Sequence, residues 1–428
     1  MPDIKRIGIG LSGGAASGNN AVIRSVFTHA RYFGIEAVAF KDAFFRLQSG
    51  LPDATEVLTE SRVTGISNNA GSILGLSKPG VPKSDDDFRN IVAGLRRENI
   101  RHLIWIGGDD SSRILRRIID TARAENFSLS VVLVPKTIDN DAWITDPENA
   151  FAEHTLGFNT AVLAGADAVH GLNADANMTD TWWLYVSMGR SAGHLPLAIY
   201  KRTEAESFLI GEELEPGTPL SLVTDFLLAT LLKKAAKSTR TQGVTVLGEN
   251  IIEKIALEGH SMSATDMGNP NLGEIPIGEI LRHAVTRRAA ELGFHIRVRS
   301  ESMSRGVRTA KPAPSDISLG TVLGIEAVRA LRQGHSEVVV SVRNDQPYHF
   351  PFSHLIDPAT GHIRTRRVAP SVIGHVRQRS LWRLHPAELD DQPLFEAMAA
   401  HAPLAGGPDG LRRIFTPVAN QFGSEEFF

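Results

Sequence analysis

The stretch running from Ile104 to Asp141 constrains the fold of this chain more than any other. Two short apolar runs with β-branched residues, 103–106 and 129–134, are bounded by turn signals, as buried parallel strands are. Between them, 111–125 carries Ile114, Leu115, Ile118 and Ala122 at helical spacing. This is a strand–helix–strand unit. Both strands then end on the same edge of one sheet, where open α/β folds bind their ligands. Each strand delivers carboxylates to that edge: Asp109 and Asp110 from the first, Asp139 and Asp141 from the second. Four acidic side chains with Lys136 among them are costly to gather unless a cation or a phosphate balances them.

A chain of 428 residues exceeds one simple core, so two α/β lobes with parallel-rich sheets are expected, with the active-site cleft between strand C-terminal edges. The formal net charge is −3 with no basic block, which gives a nucleic-acid partner no support. There is no cysteine, so disulfides and thiolate metal sites are excluded. The first residues lack a signal-peptide pattern and no apolar run is long enough to span a bilayer, so a cytoplasmic location is the simplest expectation.

Taken in order, 5–10 reads as a strand. It runs into Leu11-Ser12-Gly13-Gly14-Ala15-Ala16-Ser17-Gly18 and then a helix with Ala21, Val22, Val26 and Ala30. A strand, a loop of small residues and a helix N-terminus outline a phosphate cradle, although a plain tight turn reads equally well on this stretch alone. A second strand is expected at 35–40. A loop follows at 69–78 with Lys78 near its end, then a helix at 85–97 that opens acidic and closes basic. Beyond Asp141, 142–154 is irregular and 155–173 helical. The strand 182–187 turns through Met188-Gly189-Arg190 into a helix ending at Tyr200. Strands at 207–210 and 244–247 flank a helix at 221–237, and Glu249 sits at a strand end. A helix at 278–292 leads to a strand at 295–299. The basic stretch 300–308 reads as flexible. A helix at 317–333, a strand at 338–342 and a helix at 377–384 follow. The Pro/Gly-rich 403–410 reads as a break before a short tail.

Four motifs, Ser12-Gly13-Gly14, Gly107-Gly108-Asp109-Asp110, Pro135-Lys136-Thr137-Ile138-Asp139-Asn140-Asp141 and Met188-Gly189-Arg190, stand in the order found in the phosphofructokinase family. The chain resembles that family over roughly residues 4–385, and most of all its pyrophosphate-dependent members. Phosphoryl transfer needs a metal, cationic clamps on the phosphoryl oxygens and a base for the attacking hydroxyl. The resemblance implies Asp139 as that base, with Asp141 supporting it and Lys136 stabilising the transferred charge. It implies Mg²⁺ at Asp109. Gly13, Gly14, Lys78, Asp110 and Lys136 fall on the donor side. Thr137, Asp139, Met188, Gly189, Arg190, Glu249, Arg305 and Arg308 fall on the sugar-phosphate side, Arg308 matching an arginine that binds the 6-phosphate. The implied reaction moves phosphate from pyrophosphate to the 1-hydroxyl of fructose 6-phosphate, in a homodimer or homotetramer.

ATP-dependent relatives carry glycine where Asp110 and Lys136 stand. A carboxylate at the first position fills the space of a nucleotide α-phosphate and opposes its charge. Two like charges about 4 Å apart at an effective dielectric of about 20 repel by roughly 4 kcal/mol. Asp110 also suits a helix N-cap. The sugar edge departs from the family: Arg305 replaces a tyrosine and Gly306 an acid. Extra charge at Arg305 suits a longer or more anionic acceptor such as sedoheptulose 7-phosphate, or is simply solvated. ATP as donor and a non-catalytic sugar-phosphate sensor remain the other readings. The donor lobe is expected at 1–156 with 309–355, and the sugar lobe at 157–308 with 356–428.

Overall fold

The structure is a computed structural model. It describes residues 2–51, 53–75, 81–145, 151–238, 240–257, 272–357, 359 and 363–423. The chain divides into two compact units, Met1–Ala161 with Arg305–Arg366, and Val162–Ser304 with Arg367–Phe428. The crossings fall a few residues from the sequence expectation, and one consequence matters. Arg305, Arg308 and the stretch 356–366 lie with the first unit rather than the second.

The first unit is built on a seven-stranded sheet in the order Gln346–Pro351, Val338–Arg343, Ser130–Pro135, His102–Gly107, Arg6–Leu11, Glu36–Phe40, Thr55–Val57. Its five central strands are parallel and its two edge strands antiparallel. The central strands are buried on both faces, which is why they read as unbroken apolar runs rather than alternating ones. The helix Pro314–Arg332 lies close against Asn19–Tyr32. A Cβ on Gly324 would come within 2.7 Å of the Val22 carbonyl oxygen, so glycine there sets the approach. The helix Asp85–Arg97 begins with a reciprocal cap: the Asp87 amide donates to Ser84 Oγ at 3.1 Å and the Ser84 amide to Asp87 Oδ2 at 2.9 Å.

The second unit holds a four-stranded parallel sheet in the order Arg297–Ser302, Thr181–Ser187, Gly243–Gly248, Ser207–Leu209. Its core gathers Phe226, Leu231, Leu232 and Leu281 with Phe395, Met398, Leu411, Phe415 and Phe422 from the last hundred residues. Within it Glu213 and Arg383 are fully buried and paired at 2.7 Å, and Arg377 adds a second contact to Glu213 at 2.8 Å.

Three sequence expectations are corrected. The stretch 300–308 is ordered as the end of the strand Arg297–Ser302 followed by a 3₁₀ turn, Arg305–Thr309. Parallel pairing with Thr181–Ser187 supplies the order that its charged composition hides. The helix expected at 377–384 is Pro370–Arg377 instead, with proline in its first turn. The expected break and tail after Pro403 contain a 16-residue helix, Gly407–Phe422, whose apolar residues enter the core. Among the described residues no helix is long and apolar enough to cross a membrane.

Candidate active site

In the first unit the three motif loops meet at the C-terminal edge of the parallel strands. Trp105 lies on the strand His102–Gly107 beneath this edge. Its indole N–H donates to Ser12 Oγ at 2.7 Å, and Ser12 Oγ lies 2.8 Å from Ser111 Oγ. This relay joins the first loop to the start of the helix Asp109–Ala124. Packing enforces it, because Trp105 stacks on Phe44 at 3.8 Å and covers Gly10 so closely that a Cβ there would lie 1.8 Å from the ring. A strand alternates its faces, so Ile104 and Ile106 point to the opposite side and join the core there.

Asp110 stands in the first turn of that helix, where the dipole favours a carboxylate. Asp109 is its first residue, and its side chain lies outside the described residues, as does Lys78 altogether. The adjacent strand ends at Pro135. The Lys136 amide then donates to the Gly107 carbonyl at 2.9 Å, fixing the two strand ends side by side. The Lys136 side chain is 3% exposed, and its ammonium donates to the Gly14 carbonyl. Burial, and then the charge of Arg308, push this lysine down to about 7. Gly13 has φ +83°, a conformation that glycine adopts without strain, and its α-carbon faces the ammonium.

Asp139, Asn140 and Asp141 are all buried. Thr137 Oγ1 sits 3.3 Å from Asp139 Oδ2 and 3.4 Å from Asp141 Oδ1, and accepts from the Asp139 amide at 3.1 Å. Asn140 adopts φ +55°, which lets its two neighbours present their carboxylates from one turn. The turn is held from behind. Asn140 Oδ1 accepts from the Thr155 amide at 3.0 Å, and Thr155 Oγ1 donates to the Thr137 carbonyl at 2.6 Å. The Arg366 amide donates to the Asp141 carbonyl at 2.7 Å, and Arg366 Nη1 to the Ala152 carbonyl at the same distance. Gly107, Gly108, Ser112, Lys136 and Thr137 line a recess here.

Arg308 stands in the 3₁₀ turn Arg305–Thr309, within the first unit. Its Nη1 lies so near Gly14 that a Cβ on that glycine would approach it to 2.6 Å. Arg305, in the same 3₁₀ turn, is exposed.

In the second unit Met188, Gly189 and Arg190 leave the strand Thr181–Ser187 in a strained turn, with φ +50° at Arg190. Glu249 folds this turn. Its Oε1 accepts from the amides of Gly189 and Arg190 at 3.0 and 2.8 Å. Sequence reasoning missed the supports around it. Glu212 accepts from the Gly193 amide and from Asn250 Nδ2, at 2.8 and 2.7 Å. Arg367 Nη1 donates to the Ser191 carbonyl at 3.1 Å. Trp105, Thr155 and Arg366 were missed for the same reason. Their partners are remote in sequence, and no local pattern marks them.

The family profile described as Phosphofructokinase matches residues 6–331. This chain belongs to the phosphofructokinase family. It is 34% identical over 397 residues to a pyrophosphate–fructose 6-phosphate 1-phosphotransferase of Thermotoga maritima, covering 90% of this chain and 93% of that one. An enzyme of the same name from Naegleria fowleri is 30% identical over 416 residues, covering 94% and 93%. An ATP-dependent 6-phosphofructokinase 1 of Synechocystis sp. is 30% identical over 365 residues, covering 83% and 93%. Among solved structures, a pyrophosphate-dependent phosphofructokinase from Nitrosospira multiformis shares the fold, with TM-score 0.65, 15% identity and 86% of each chain covered.

Proposed function

We propose that this chain transfers the terminal phosphoryl group of pyrophosphate to the 1-hydroxyl of fructose 6-phosphate, giving fructose 1,6-bisphosphate and inorganic phosphate. The observation that carries the reading is Lys136, a buried lysine held against the first glycine loop, with Asp110 across the same strand edge. An ammonium there matches the charge of a small diphosphate, and the carboxylate opposes the longer nucleotide.

In this reading Asp139 accepts the proton of the sugar hydroxyl as its oxygen bonds the phosphorus and the bridging P–O bond of pyrophosphate breaks. Asp141 and Thr137 orient it. A positioned base of this kind contributes about 10²–10⁴-fold. Lys136 stabilises the charge that grows on the phosphoryl oxygens. The amides of Gly13 and Gly14 face the donor. Met188, Gly189 and Arg190 receive the sugar phosphate, with Glu249 holding their turn in shape.

The donors at the strand edge are oxygens: the carboxylates of Asp110, Asp139 and Asp141 and the hydroxyl of Thr137. Among the described residues no group of three or more acids or histidines is gathered to hold a metal by itself. Mg²⁺ commonly takes one or two carboxylates plus substrate phosphate and water, so this donor set fits it, with Asp109 as the residue that would hold it. When bound, it would neutralise phosphate charge. Assembly as a homodimer or homotetramer belongs to the same reading, and light scattering tests it.

The experiment is a coupled assay with Mg²⁺ that crosses pyrophosphate and ATP with fructose 6-phosphate and sedoheptulose 7-phosphate. Turnover with pyrophosphate and fructose 6-phosphate is expected. Replacing Asp110 and Lys136 together by glycine should weaken pyrophosphate use and admit some ATP. Turnover of the unaltered protein with ATP alone would overturn the reading. The exposed Arg305 makes sedoheptulose 7-phosphate the acceptor to compare.

A further inference from the structure

The turn that carries Asp139 and Asp141 does not hold itself. Asn140 sits between them at φ +55°, a conformation that a residue other than glycine keeps where its surroundings impose it. After Asp141 the chain runs out and comes back, and Thr145 and Phe151 meet in an antiparallel bridge. The returning residues then grip the turn. The Glu153 carbonyl accepts from Asn140 Nδ2 at 3.1 Å, and Thr155 bonds both Asn140 and Thr137. The placing of the two carboxylates therefore depends on how residues 152–155 lie against 137–141.

That register is set from more than two hundred residues away. Ala142 and Thr365 form an antiparallel bridge, which puts Arg366 opposite Asp141 and Arg364 opposite Trp143. Arg366 holds both ends of the excursion. Its amide donates to the Asp141 carbonyl at 2.7 Å, and its Nη1 donates to the Ala152 carbonyl at 2.7 Å. Its guanidinium also lies over the Phe151 ring, 5.1 Å from the centroid. Phe151 meets Trp143 edge to face at 4.9 Å, and the Arg364 guanidinium lies 5.6 Å from the Trp143 ring. Two arginines thus clasp a pair of rings across the base of the excursion, at distances where cations and aromatic faces attract.

We infer that Arg366 is a positioning residue for the general base. By fixing the Asp141 and Ala152 carbonyls together it holds Asp139 and Asp141 in the orientation that receives the proton of the sugar hydroxyl, and Arg364 supports it through Trp143. The inference rests on the phosphotransferase reading with Asp139 as the base, and deepens it with a residue that acts only through the chain. The side chain matters as well as the backbone. Any residue but proline could donate an amide to Asp141, whereas a long, flat cation reaches the Ala152 carbonyl and covers Phe151 at once.

The test is a double-mutant cycle in the coupled assay, run with whichever donor the protein uses. Arg366→Met should lower kcat about 10- to 100-fold. Both KM values should stay within about twofold, as should the affinity for methylenediphosphonate, a non-hydrolysable pyrophosphate analogue. Arg366→Lys keeps the charge and a donor and should recover part of the rate; it carries the test if Arg366→Met does not fold. The acid limb of the kcat profile should move to higher pH in both variants, because a looser turn weakens the Thr137 hydrogen bond that favours ionised Asp139. In an Asp139→Ala background Arg366→Met should change the remaining rate by less than about twofold, since no base is left to position. An equal loss in both backgrounds, or full turnover of Arg366→Met with a lowered melting temperature, overturns the positioning role and leaves the base standing. Full turnover of Asp139→Ala alone overturns the base and this inference with it. Turnover of the unaltered protein with ATP alone overturns only the pyrophosphate reading, because the cycle is then read with ATP.

Discussion

Lys136 shows at the residue scale how burial changes the titration of a common side chain. The ordinary ammonium titrates near 10.5, and burial with the charge of Arg308 brings this one to about 7. The unfolded chain therefore binds one more proton than the folded one between those values. The contribution of the group to stability is least below pH 7 and rises as the pH climbs towards 10.5. Lys136→Met should flatten that rise, read as urea midpoints at pH 6.5 and pH 9. A bound diphosphate restores the ammonium, so pyrophosphate binding at pH 8 should take up close to one proton, measured by calorimetry in two buffers of different ionisation enthalpy. No uptake would contradict Lys136 as a donor contact. Asp139→Ala should lower kcat about 10²–10⁴-fold while leaving the diphosphate analogue bound. Full turnover in that variant would remove Asp139 as the base.

The elements that carry these residues explain why the motifs sit where they do. Parallel strands point their C-terminal ends one way, and each loop then begins with glycine or an acid at a helix start. What sets the spacing between loops is less visible. The relay from the Trp105 indole through Ser12 to Ser111 ties two of them together across the sheet. Trp105→Phe keeps much of the stack on Phe44 and deletes the indole donor. It should lower kcat or raise the pyrophosphate KM while costing only about 1–2 kcal/mol of stability. A stability loss with unaltered kinetics would confine Trp105 to packing. Gly10→Ala meets the ring at 1.8 Å and should destabilise by about 1–3 kcal/mol or more, seen in the melting temperature.

At the scale of the whole molecule, the last residues belong to the core of the second unit. Leu411, Phe415, Val418 and Phe422 are at most 1% exposed. Four such side chains at about 1.5–3 kcal/mol each amount to about 6–12 kcal/mol, comparable to the whole stability of a typical domain. Truncation after Pro403 should therefore unfold the second unit, and a cooperative melt retained at the original temperature would refute this. The buried Glu213–Arg383 pair lies in the same unit and is held by hydrogen bonds to the Phe208 and Phe422 carbonyls as well. Arg383→Met leaves the buried carboxylate with Arg377 and the Ile210 amide as partners, and should cost about 3–5 kcal/mol by urea denaturation.

The sequence by itself determined the local and repeated features. Short apolar runs at strand spacing, the acidic start and basic end of Asp85–Arg97, and the order of the four motifs are written in neighbouring residues, so the α/β class and the family were legible. Tertiary structure alone decided what depends on residues far apart in the chain. The antiparallel edge strands Thr55–Val57 and Gln346–Pro351 exist because they pair with neighbours. The stretch 300–302 is a strand because Thr181–Ser187 supplies its hydrogen bonds. The helix Gly407–Phe422 follows a Pro/Gly-rich start and gains its stability by burying an apolar face in a core laid down by residues nearly two hundred positions earlier. Arg308 is the same lesson at the site. Only the folded chain brings it beside Gly14, a contact that spans almost three hundred residues that no local pattern joins.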